Sequence, residues 1–258
     1  MTPELQQDAT VGQRCVPMGQ ILERGAWLCR TIAGADLLGV PLYLVPQSRI
    51  AAEFGNADGC YGYTLPSAAL YLRSYIDPWL GFGPCAVIND LALAEDFDPI
   101  DLEYATLAVI LHELAHILDR PVLCDDRRDA PLEKIQFESL VLADSIQKAP
   151  RSELPPYAGH GPSFMRLVIH LAHRANLVGV ETCPAAVFAG HRYSLSPTAF
   201  YQDALEDEPT QQINRRLRDL PSVAPPNRFL DVWDSDVHRY ERLASKVNGA
   251  GNECDIVL

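Results

Sequence analysis

Hydrophobic positions divide the chain into a small number of periodic segments separated by polar or proline-rich ones. Residues 1–17 form a polar tail. In QILERGAWLCRTIAG (20–34), apolar residues fall at Ile21, Leu22, Trp27, Leu28 and Ile32, and the run stops at Gly34, a helical spacing. VPLYLVP (40–46) predicts a short strand between prolines, and GPCAVINDLAL (83–93) predicts another that leads out of a Gly-Pro turn. PSAALYLRSYIDPW (66–79) fits helix or strand equally.

The strongest helix signal follows. Asp98 is a good N-cap, Pro99 suits the first helical position, and nothing breaks the run from there to Arg120, with Pro121 ending it. Its apolar positions (Ile100, Leu102, Leu107, Ile110, Leu111, Leu114, Ile117 and Leu118) cover nearly the whole circumference. A helix that is apolar all round is buried, so this one is expected at the centre of the fold. Two more helices are predicted at about 131–148 and 162–175, and a last amphipathic one within 229–247. On the helix at 162–175, Phe164, Leu167, Val168 and Leu171 define the buried face, which places His170 and His173 with Arg166 and Arg174 on a solvated one.

That central helix carries chemistry that an ordinary core would not keep. AVILHELAHILDRP (108–121) sets His112, Glu113 and His116 among aliphatic side chains, where an unsatisfied polar group costs several kcal/mol. His112 and His116 are i and i+4, so both imidazoles share one face and can converge on one Zn²⁺. Glu113, one residue round, can reach a metal-bound water as general base without being a ligand. Two stretches can complete the metal site. One is His160, followed by Gly161 and Pro162. The other is Glu138, which a helical wheel turns toward the core beside Val141 and Leu142. Tyr157 and the His191–Tyr193 stretch are candidate donors of a transition-state hydrogen bond, and ordinary surface residues otherwise.

HELAH followed later by HGPSFMRLVIHLAHRA resembles the SprT-like zinc metalloproteases over about 86–175. In that family the third zinc ligand is the histidine of an H-G-P-x-F stretch opening a helix, and His160 to Phe164 match it residue by residue. The resemblance implies an α+β, zincin-like fold and a peptidase whose metal ligands are His112, His116 and His160. The chain departs from the family in the 43 residues between His116 and His160 and in having no C-x-x-C pair for a zinc ribbon. Two other readings stay open: a gluzincin-type peptidase with Glu138, 22 residues after His116, as third ligand, and a binding module that keeps zinc for structure alone.

Composition sets the frame. With 258 residues, 48% of them hydrophobic, the chain can bury a sizeable core. The expected organisation is the tail 1–17, a zincin-like domain at 18–205 and a C-terminal extension at 206–258 with one helix. A formal charge of −13 argues against strong binding to nucleic acid; the peptidase reading expects a protein or peptide substrate. The strand from Cys85 to Leu91 is the expected edge on which an extended substrate would pair. Seven scattered cysteines read as reduced thiols, no apolar run approaches a membrane span, and no leader is visible, so a cytoplasmic protein is expected.

Overall fold

The computed structural model describes residues 16–50, 60–65, 72–81, 83–119, 160–188, 216–235 and 238. They form a mixed α+β structure, helices on one side of a small sheet. Helix α1 (Met18–Ala33) buries Ile21, Leu22, Leu28, Cys29 and Ile32, close to the face its spacing predicts. Gly25 sits where α1 crosses the sheet and the central helix. A methyl group there would collide with Ile110 Cδ1 and touch Leu44 Cδ1, so a larger residue would force Ile110 to shift.

Three strands follow: β1 (Tyr43–Pro46), β2 (Gly62–Leu65) and β3 (Cys85–Ile88), in the order β1-β3-β2. β3 pairs parallel with β1 and antiparallel with β2. It is therefore the central strand, buried at all four positions, and cannot be the substrate-pairing edge expected of Cys85 to Leu91. Both of its edges are already used. The strand also ends sooner than its sequence suggests. The Asn89 side chain accepts from Ala92 N and caps helix α2 (Asp90–Asp96), which turns the second half of GPCAVINDLAL into helix.

The hydrogen bonds fix which way each edge strand points its backbone. Tyr43 N donates to Pro84 O (3.0 Å), so Tyr43 and Val45 face β3 while Leu44 turns its N–H and C=O outward. Asn89 N donates to Tyr61 O (2.8 Å), so in β2 the odd residues face β3 and Gly62 and Thr64 face out.

Side chains divide by the same alternation. Ala86 and Ile88 join the main core under the helices. Tyr43, Val45, Cys85 and Val87 form a second cluster with Ile50 and Leu72, closed by Tyr75, Ile76 and Trp79. Tyr43 stacks on Trp79 at 5.2 Å, donates from its hydroxyl to Gly81 O (2.7 Å) and accepts from Leu80 N (2.9 Å).

Helix α3 (Leu102–Asp119) runs through the middle, packed against α1, α2, β2, β3, helix α4 (Pro162–Leu177) and helix α5 (Pro184–Phe188). Full burial of Ile110, Leu111, Leu114, Ile117 and Leu118 stabilises the fold by about 1.5–3 kcal/mol per side chain. Asp98 does start the chain turning, its carbonyl accepting from Asp101 N and Leu102 N, but regular helix begins only at Leu102. Ile100, ahead of it, is 67% exposed rather than part of the core.

The polar face expected on α4 is the main departure. Arg166 is 1% and His170 2% exposed, because residues 217–223, a 3-10 turn (Leu217–Ser222) and its continuation, lie across that face. Arg166 Nη1 donates to Val223 O (2.7 Å) and Leu220 O (3.3 Å). Buried Asp36 accepts from Arg218 N (3.2 Å) and lies 3.7 Å from Arg174, which also donates to Ile32 O. His173 alone of the two histidines keeps partial exposure, and its proton affinity is lowered by burial first and by Arg174 second. Leu217 and Leu220, with Phe229 and Trp233 from the helix at 227–235, belong to the main core. Among the described residues, no helix is long and apolar enough to cross a membrane.

Candidate metal centre

Helical geometry brings the first two imidazoles together. His112 and His116 stand one turn apart on α3, their Nε2 atoms 3.2 Å from each other. His160 arrives from a different part of the chain, on the residue pair that precedes α4. Pro162 occupies the first helical position and Gly161 O accepts from Met165 N, so His160 is tied to a well-anchored helix start. Gly161 has an ordinary φ of −71° and open space around its α-carbon. The freedom of glycine is thus not what seats His160. Its Nε2 lies 3.2 Å from that of His112, and the three nitrogens lie within 4.8 Å of one another.

The ring of His112 fixes the chemistry of that convergence. Its Nδ1 lies 2.8 Å from Val187 O in α5. A carbonyl only accepts, so Nδ1 carries the proton and the Nε2 of the neutral ring is a lone pair aimed at the other two imidazoles. A tetrahedral ion with nitrogen ligands at ~2.0–2.1 Å would hold them roughly 3.3 Å apart, close to the two separations of 3.2 Å. The residues present therefore fit a metal ion, and the group is one that could hold it.

An apolar floor keeps the three rings in place. Phe164, fully buried, meets His112, His116 and His160 at centroid distances of 5.0, 4.3 and 4.8 Å. Phe188 adds a contact to His160 at 6.2 Å. The imidazoles themselves are half-buried.

Glu113 follows His112 on α3, and its carboxylate lies against β2. It is 3% exposed, and Thr64 of β2 donates its hydroxyl to Oε2 at 2.7 Å. A carboxylate held by a hydroxyl in a dry setting keeps one orientation, and such a charge-assisted bond is stronger than a neutral one. β2 can approach so closely because Gly62 has no side chain: a methyl there would stand 2.8 Å from Val109 Cγ1 and 3.1 Å from Glu113 Oε1.

The sequence thus points to the three histidines and Glu113, and the structure gathers the histidines and places Glu113 beside β2. Glu138, Tyr157, His191 and Tyr193 lie outside the described residues. Sequence reasoning passed over Thr64, Gly62 and the Val187 carbonyl. A faint signal for β2 exists in the alternation of Tyr61, Tyr63 and Leu65 with Gly62 and Thr64; a backbone acceptor such as Val187 O leaves none. Comparison with family models, with curated proteins and with solved structures finds no match to this chain.

Proposed function

We propose that this protein is a zinc-dependent endopeptidase of the SprT-like kind, built on a zincin-like domain. The observation that carries the reading is the convergence of three imidazole Nε2 atoms on one point, on the helix whose next residue is a buried, hydroxyl-anchored glutamate. His112, His116 and His160 would hold Zn²⁺ with three protein ligands, the number typical of catalytic zinc sites. When bound, zinc supplies a water acidified to about pKa 7 and a Lewis acid for the peptide carbonyl.

The remaining chemistry belongs to this chain's own residues. Glu113 takes the proton of the attacking water and passes it to the departing amine. Thr64 fixes the carboxylate that does this by donating its hydroxyl to Oε2. Val187 O keeps His112 in the tautomer that a metal ligand needs. Gly62 and Thr64 offer outward N–H and C=O groups to an extended substrate, which in this reading pairs with β2 beside Glu113. The substrate edge is thus β2 and not β3.

The chain's −13 charge disfavours a surface that tracks duplex DNA, so we infer a protein or peptide substrate without strong nucleic-acid affinity. Cys29, Cys60, Cys85 and Cys183 are free thiols, in keeping with the cytoplasmic setting we infer.

Glu113→Gln tests the reading. The amide keeps the shape of the side chain but cannot accept the water's proton, so zinc content by elemental analysis stays near one per chain while cleavage of unfolded casein disappears. Equal cleavage by both proteins rejects Glu113 as base. Bound zinc with no cleavage by either one assigns the centre to a non-catalytic binding module.

A further inference from the structure

Among the described residues the sheet has a second unpaired edge, away from Glu113, and it lines a cleft. Leu44 turns its backbone N–H and C=O out of the sheet, and among the described residues neither group has a hydrogen-bond partner. Along this edge runs a cleft of about 640 Å³ whose floor is β1. One wall is α1, through Met18, Leu22 and Ala26; the other is the 76–80 loop, through Ile76, Pro78 and Leu80. The loop wall is pinned by the two hydrogen bonds of Tyr43 to Leu80 N and Gly81 O.

Because the helices cover one face of the sheet and the loop covers the other, a strand added to β1 would send alternate side chains to opposite walls. Both walls are apolar. Leu80 is 69% exposed, a large apolar surface left open at the lip. The charges are of one predominant sign: Glu23 on the helix wall and Asp77 on the loop wall have no cationic partner among the described residues, and Asp90 adds a third carboxylate against the single Arg49. The chain as a whole, at −13, reinforces that field.

We propose that the β1 cleft is a docking site for an extended segment of a partner protein, with apolar side chains on both of its faces and lysine or arginine at its ends. The segment adds to the sheet as a fourth strand. Leu44 supplies one donor and one acceptor, and the apolar walls and the carboxylates select the sequence. Pro46 has no N–H to offer, which confines the pairing to the Leu42–Leu44 end of the strand. The site does not depend on the peptidase reading, since it shares no residue with the metal centre.

The probe is the capped peptide acetyl-Lys-Val-Leu-Val-Lys-amide, added to the full chain and followed by calorimetry and by hydrogen exchange resolved at Leu44. The expected result is saturable binding in which exchange of the Leu44 amide slows at least about tenfold. Replacing both lysines of the peptide by glutamate weakens binding by about tenfold or more. Leu80→Ser, a change at an exposed position that removes apolar surface without altering the charge, weakens it as well. Absence of saturable binding at millimolar peptide overturns the proposal, as does binding that leaves Leu44 exchange unchanged. A concentration-dependent dimer that Leu80→Ser dissolves would give the cleft to a second copy of this chain and also overturn it.

Discussion

Substituting Gly62 by alanine is the sharpest probe of how β2 meets the central helix. Its φ is not in the left-handed region, so alanine fits the backbone, and restricting the unfolded chain should by itself stabilise by about 0.4–1 kcal/mol. The structure predicts the opposite sign. The added methyl lands 2.8 Å from Val109 Cγ1, closer than carbon atoms pack, and 3.1 and 3.2 Å from Oε1 and Cγ of Glu113. Overpacking of this kind costs about 1–3 kcal/mol, leaving a net loss of roughly 0.5–2 kcal/mol. Urea unfolding of the single mutant measures that loss. Adding Val109→Ala removes the nearest atom and should restore part of it, with a coupling of at least about 0.5 kcal/mol in the double-mutant cycle. Casein cleavage should fall in Gly62→Ala and recover less than stability does, because the contact with the Glu113 carboxylate persists. If Gly62→Ala is as stable as the wild type and shows no coupling to Val109, β2 does not pack on α3 as described.

Two further outcomes check other parts of the structure. His160→Ala should lower zinc affinity by more than the ~10–100-fold typical of residues that only support a ligand, while Glu138→Ala keeps most of it; the reverse pattern in a zinc titration assigns Glu138 as the third ligand. Burial pushes the Cys29 and Cys85 thiols up to about 12, so at pH 8 they stay protonated and unlabelled in the native protein while exposed Cys60 and Cys183 react; mass-spectrometric mapping that finds Cys29 modified ahead of Cys60 contradicts the packing of α1.

What the sequence could and could not reveal follows from the range of the interactions involved. The pairing of His112 with His116 is local, set by one helical turn, and reads directly from H-E-x-x-H. The α-helix around them is legible because its apolar residues occur on every side. His160 was reachable only through the short His-Gly-Pro signature, since no local rule brings position 160 to position 112. β3 is central rather than an edge, and Cys85 to Ile88 carry the sign of it in an unbroken apolar run, the pattern of a strand buried on both faces. Arg166 and His170 look solvent-facing on any helical wheel. Their burial depends on where residues 217–223 land, and the carbonyls that receive Arg166 come from Leu220 and Val223, which carry no side-chain signal at all.

The bond between distant parts of the chain at the metal centre has a topological meaning. A metal ion shared by α3 and His160 would be a cross-link, closing a loop over the 43 residues between His116 and His160. In the chain-entropy description of such closures, a tie across a loop of that length removes about 4 kcal/mol of freedom from the unfolded ensemble, comparable to a disulfide. A disulfide would need an oxidising compartment and a reductant to open it. A coordination tie opens with a chelator or a drop in free metal. The same three imidazoles would then set how firmly the long 116–160 excursion is anchored, so metal supply would govern the lifetime of the folded chain as well as its chemistry.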